Sequence, residues 1–193
     1  SVFCCNWFNW DKSAVKSIKI EAEGAIGDYI ESLKTFAVVG ALTTALSNEK
    51  INYVNATFVA DEKNIKLEAN KIANNSGYQN KVNIKITTSN EVNSVSGTIF
   101  NEDVQRIIAI NDFIMDIEPN GKMILVTNSD IPGVIGEVGQ TLGDNDINIS
   151  DFRLGRNSEG ALAVILVDDE IDNDTLSKLE NLEAAKSVCF VKI

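Results

Sequence analysis

Apolar and polar positions begin to alternate at Ser17. Ile18, Ile20 and Ala22 interleave with Lys19 and Glu21, which predicts a half-buried strand ended by Gly24. Phe36, Val38, Val39, Leu42 and Leu46 then recur at helical spacing, with Thr35 as the expected N-cap, and a second helix is expected over Val54 to Glu62. Alternation returns at Ile65, Leu67 and Ala69. It continues through Val82 to Thr88, Val95 to Ile99 and Arg106 to Ile110, with Gly97, Asn101 and Asn111-Asp112 read as the turns between strands. Residues 15–118 thus read as one mixed α+β domain.

Pro119-Asn120-Gly121 marks a boundary. Beyond it the pattern predicts strand (Met123 to Thr127), helix (Val134 to Gly143), strand (Ile149 to Gly155), strand (Ala161 to Val167), helix (Thr175 to Leu182) and strand (Ser187 to Val191). Asn157 to Gly160 supplies a hairpin turn. The order β-α-β-β-α-β over residues 122–193 is the ferredoxin-like plan. The expected fold class is therefore α+β, a mixed domain followed by a ferredoxin-like one. The first fourteen residues fit neither. They open with SVFCCNWFNW, without alternation or a cap, and read as a helix remnant or a non-native addition.

Composition narrows the chemistry. The 193 residues contain no histidine, which removes imidazole-dependent triads, imidazole metal ligands and the commonest neutral-pH proton shuttle. The net charge is −11, with 13 acidic against 6 basic residues after Gly121, so phosphate backbones and anionic membrane surfaces are unfavourable partners. Cys4, Cys5 and Cys189 have no C-x-x-C spacing, and the scattered carboxylates form no EF-hand loop or other metal-ligand cluster. Few unpaired thiols suit a reducing compartment, and a cytoplasmic location is expected. The apolar run Phe36 to Leu46 is too short to span a bilayer, and Ser1 to Trp10 lacks the basic start of a secretory signal. No catalytic residue is assigned.

Two segments carry candidate binding chemistry. Asn128-Ser129-Asp130-Ile131-Pro132-Gly133-Val134-Ile135 joins a strand to a helix, where free amides and the positive end of the helix dipole favour a carboxylate or phosphate. Pro132 suits the first helical turn, and Gly133 permits close approach of another backbone or a ligand. On the motif alone Asp130 reads as an N-cap. Asn145-Asp146-Ile147-Asn148-Ile149 enters the next strand. Asn148 offers both donor and acceptor, as an amino acid zwitterion requires, yet taken alone it reads as a turn residue.

Asp130-Ile131-Pro132-Gly133-Val134-Ile135-Gly136 with Asp146-Ile147-Asn148-Ile149 resembles the ACT domain, a small amino-acid-binding regulatory module. Ile51-Asn52-Tyr53-Val54-Asn55-Ala56, Ser96-Gly97-Thr98-Ile99-Phe100 and Arg106-Ile107-Ile108 resemble the intervening, allosteric substrate-binding (ASB) domain of long, type 1 D-3-phosphoglycerate dehydrogenases. The resemblance covers nearly the whole chain from about Ser13. It implies the regulatory part of an enzyme whose NAD-binding and catalytic domains lie upstream; no G-x-G-x-x-G turn for a dinucleotide occurs here. It further implies homo-oligomerisation through the ACT domain and L-serine as effector between two copies. Asn128 and Asp130, with the amides of Gly133, Val134 and Ile135, would come from one copy, and Asn148 from the other.

The sequence departs from the family pattern at Ile131, where arginine is common, and at Glu118, where one branch has arginine; an anion site at Arg106 in the ASB domain is correspondingly weak. Asn52 and Asn55 read as helix caps. Two other readings stay open: a structural dimerisation module without effector, and the regulatory region of an L-serine dehydratase. Against the second, this chain shows no cysteine cluster for an iron–sulfur centre.

Overall fold

The computed structural model describes residues 15–46, 49–101 and 103–193. The N-terminal segment 1–14, expected as a helix remnant or addition, lies outside them, as do Cys4 and Cys5. Contacts divide the described residues into two compact units, one holding 15–111 and 116–118, the other 112–115 and 119–193.

In the first unit, β1 (Ser17–Gly24) leads through a 3₁₀ turn (Ala25–Tyr29) into α1 (Ile30–Ala45) and α2 (Ala56–Glu62). The chain then runs through β2 (Lys66–Ile72), β3 (Asn80–Thr87), β4 (Val92–Phe100), β5 (Val104–Ile110) and β6 (Phe113–Ile117), of which only the last two residues belong to this unit. These strands form one sheet in the order β2-β1-β3-β4-β5-β6, with β1 and β2 parallel across the helical crossover. The alternating residues of β1 behave as expected: Ile18, Ile20 and Ala22 are fully buried, and Ile18 and Ile20 share a core with Val38, Ala41 and Leu42 of α1. Burying such side chains contributes about 1.5–3 kcal/mol each for the larger ones.

Three local expectations are corrected. Thr35 does not start a helix; α1 begins five residues earlier, continuous with the 3₁₀ turn, and the Thr35 hydroxyl donates back to the Glu31 carbonyl at 3.0 Å. Gly97 lies inside β4, where the pairing with β5 shifts register, rather than in a turn. The turns fall at Asn101 and Asn111, both with left-handed φ (49° and 51°). Asn52 and Asn55 build the turn ahead of α2. The Asn52 side chain accepts from the Val54 and Asn55 amides, and Asn55 accepts from the Asn52 amide, but no side chain caps α2 itself.

The second unit follows the predicted order closely. Its elements are β7 (Lys122–Asn128), α3 (Val134–Gly143), β8 (Ile149–Asn157), β9 (Gly160–Val167), α4 (Asn173–Glu180) and β10 (Ala185–Lys192), and its sheet runs β10-β7-β9-β8 with every neighbour antiparallel. This is the ferredoxin-like arrangement, so the chain as a whole is α+β. Ile124 and Val126 of β7, Ala163 and Ile165 of β9, and Val134, Val138 and Leu142 of α3 form its core. The α3 residues recur every four positions, one stripe of a helix. No described helix is long and apolar enough to cross a membrane.

Candidate functional site: the open start of α3

Asn128 continues the helix-facing row of β7 after Ile124 and Val126, so the row ends in a carboxamide that is only 2% exposed. Its Oδ1 accepts the Asp130 amide at 2.9 Å, closing a small turn. Its Nδ2 has only the Val126 carbonyl at 3.5 Å, the outer limit of a hydrogen bond. Asp130 takes a left-handed φ of 48° within this turn.

The chain then passes Pro132 to Gly133, the residue preceding α3, which has φ 100° and ψ −28°. An added Cβ at Gly133 would meet nothing within 4 Å, so the backbone angle alone favours glycine there. Two expectations change. Pro132 lies ahead of the helix rather than in its first turn, and Asp130 does not cap it. No side chain does, so the first amides of α3 point into the loop without a side-chain acceptor. The Asp130 carboxylate instead meets Arg156 at 3.0 Å (Oδ1 to Nε).

Sequence reasoning missed Arg156. It stands at the far end of β8, opposite Ala161 of β9, which is itself opposite Asn128, so the three form one row across the sheet. The signal was the hairpin: Asn157 and Gly160 close the turn, with the Asn157 side chain accepting from the Glu159 and Gly160 amides. Register counted back from that turn places Arg156 in the same row as the last residue of β7, with β9 between them. Asn128, Asp130, Ile131, Pro132, Gly133 to Gly136, Leu154 and Arg156 line a cleft of about 360 Å³. That is near the small end of ligand clefts, roughly 300–1,000 Å³. Ile131 and Ile135, 52% and 47% exposed, give it an apolar rim.

Asn148 is not in this cleft. It sits at the start of β8, where Ile149 pairs with Val167, whereas Asn128 pairs with Ala161 at the other end of β9. Six residues of strand separate those rows, roughly 20 Å. One copy of the chain therefore brings Asn128, Asp130, Gly133, Val134 and Ile135 together but not Asn148. The Asn148 Nδ2 donates to Asp168 Oδ2 at 2.6 Å.

Other candidate chemistry is sparse. Arg106, read as a weak anion site, faces Asp116 at 3.5 Å and Glu118 at 3.4 Å, two carboxylates an incoming anion would have to displace. Cys189 is half-buried on β10, and burial pushes its thiol up to about 12, so it remains protonated near neutral pH and is a poor nucleophile. Among the described residues no group of three His, Cys, Asp or Glu is placed to hold a metal ion.

Two known family models match the chain. Residues 8–111 match the model of the D-3-phosphoglycerate dehydrogenase intervening domain. The chain belongs to that family. Residues 122–184 match the ACT domain, so the open α3 start lies in an ACT domain that follows the intervening domain. D-3-phosphoglycerate dehydrogenase of Bacillus subtilis (strain 168) is 31% identical over 94% of this chain and 35% of its own length. The Synechocystis and Archaeoglobus fulgidus proteins of the same name are 29% and 27% identical, over 89% and 93% of this chain. The chain spans about a third of the length of these relatives.

Proposed function

We propose that this chain is the regulatory part of an NAD-dependent D-3-phosphoglycerate dehydrogenase and that its ACT domain binds L-serine between two copies. In the whole enzyme the oxidation of 3-phosphoglycerate, the entry to serine synthesis, would belong to other domains, and the ACT pair would deliver feedback inhibition. The observation that carries this reading is the polarity of one cleft. Open α3 amides, the buried Asn128 Nδ2 and Arg156 favour a carboxylate, while Asp130 offers an acceptor to an ammonium within the same cleft.

The strand at the sheet edge supplies the reason for a second copy. β8 has β9 on one side only, leaving its other edge unpaired in the sheet. Pairing β8 antiparallel with itself across a two-fold axis sets the start of one strand beside the end of the other. The partner's Asn148 then reaches the Arg156 end of this chain, where the cleft lies. Binding and subunit geometry become one equilibrium, and serine shifts it only by its differential affinity, typically about 1–3 kcal/mol.

Calorimetric titration of L-serine into the 193-residue chain tests the reading. Saturable heat is expected, at one serine per chain, with Asn148→Ala weakening it by at least tenfold. The Arg156–Asp130 ion pair favours a second reading, a dimerisation module whose loop charges satisfy each other. A dimeric chain giving a flat titration establishes that one and removes the serine sensor.

A further inference from the structure

We propose that Asp168 is a positioning residue for the effector site: it holds the amide nitrogen of Asn148 so that the carboxamide oxygen alone faces the effector and receives its ammonium. The inference rests on the serine-binding reading above and assigns the direction of one of its contacts. An ionised carboxylate only accepts hydrogen bonds, so the group of Asn148 that faces Asp168 at 2.6 Å must be the NH₂. Chemistry, not the shape of the side chain, fixes the orientation.

The backbone holds both residues in place. The Asp168 amide donates to the Asn148 carbonyl at 3.4 Å, the next residues Ile149 and Val167 are strand partners, and Lys122 Nζ donates to the Asp168 carbonyl at 2.9 Å. Among the described residues Asn148 Oδ1 has no hydrogen-bond partner. Asn128 is polarised the opposite way. Its Oδ1 is taken by the Asp130 amide, leaving Nδ2, held only by the long bond to the Val126 carbonyl, as its available donor. One asparagine is thus a donor and the other an acceptor. A site made from both discriminates a carboxylate end from an ammonium end, which selects free α-amino acids over ligands lacking either charge.

The test is a charge swap in the full 193-residue chain, read by calorimetry with L-serine and by melting temperature. Asp168→Ala frees the carboxamide to rotate, and the affinity for serine is expected to fall about tenfold with the melting temperature nearly unchanged, because both side chains are exposed. Asn148→Asp alone sets two carboxylates against each other and is expected to bind at least as poorly. The double variant Asn148→Asp/Asp168→Asn rebuilds the pair in reverse, with a carboxylate oxygen facing the ammonium, and is expected to recover affinity to within about threefold of wild type. A merely structural role for Asp168 predicts no such recovery. Wild-type binding with Asp168→Ala unaffected, or a double variant no tighter than Asp168→Ala, overturns the inference and leaves the serine reading standing. A wild-type chain that takes up no serine removes both.

Discussion

The two helices of the ACT domain begin in opposite ways. α4 is closed: Asp172, in extended conformation, accepts the Thr175 amide at 2.7 Å, and this bond, with the Thr175 hydroxyl, holds the Asp172 carboxyl below its usual range. α3 is open: a left-handed Gly133 leads into it, no side chain caps it, and the nearby aspartate is turned to Arg156. Both helices contribute to the same core, Val134 and Val138 from one and Leu179 from the other, and Thr175, four residues before Leu179, is also buried. Burial therefore does not separate them. What differs is whether a side chain satisfies the first amides: Asp172 does so at α4, and none does at α3.

Three measurements sharpen or break this contrast. The largest effect is expected at Gly133. Gly133→Ala meets no steric obstacle, so its cost of about 1–2 kcal/mol arises from the left-handed backbone, and the melting temperature should fall while serine affinity drops about tenfold as the amides turn away. Equal affinity in that variant would disconnect the amides from binding. Arg156→Ala should cost less than about 1 kcal/mol in stability, since the pair is exposed, yet weaken serine several-fold by removing a positive charge from the cleft. Melting and titration on the same sample separate those two effects.

The smallest effect lies at the closed helix. Asp172→Ala should lower the melting temperature by about 3 °C without changing serine affinity. Asp172→Asn keeps a capping oxygen and isolates the charge. Because the folded Asp172 carboxyl is held below its ordinary value of 3.8, its contribution is present above that pH and lost as pH falls through the lower folded value. The asparagine variant should therefore lose stability less steeply below about pH 3.8 than the wild type. An identical acid slope would mean that the cap contributes nothing through its charge.

Much of the fold could be read from the sequence because alternation and turn residues agreed. Asn157 to Gly160 announced the β8–β9 hairpin, and α3 begins and ends at the expected residues. Failures came where tertiary contacts decided. β6 was not anticipated because Ile114 is 81% exposed while Met115 and Ile117 are buried, which hides the alternation. Thr35 resembled a cap, but a residue whose hydroxyl finds the carbonyl four positions back also fits mid-helix. In the site, Asn128 and the α3 start were legible as local motifs. The Arg156–Asp130 pair joins residues 26 positions apart in sequence and depends on β8 register. Asn148 was legible as a polar strand entry, but its Asp168 partner depends on the pairing of β8 with β9.

The separation of Asn128 and Asn148 along the sheet has a consequence for mixed assemblies. Under two-fold pairing each chain lends its loop to one pocket and its asparagine to the other. Joining a subunit defective in the loop to one defective at Asn148 would gather both lesions in a single pocket and leave its twin intact. Random co-refolding makes about half of the dimers mixed, each with one sound pocket of two, so two inactive populations would regain about a quarter of their capacity for serine, a complementation unavailable to a site enclosed within one chain.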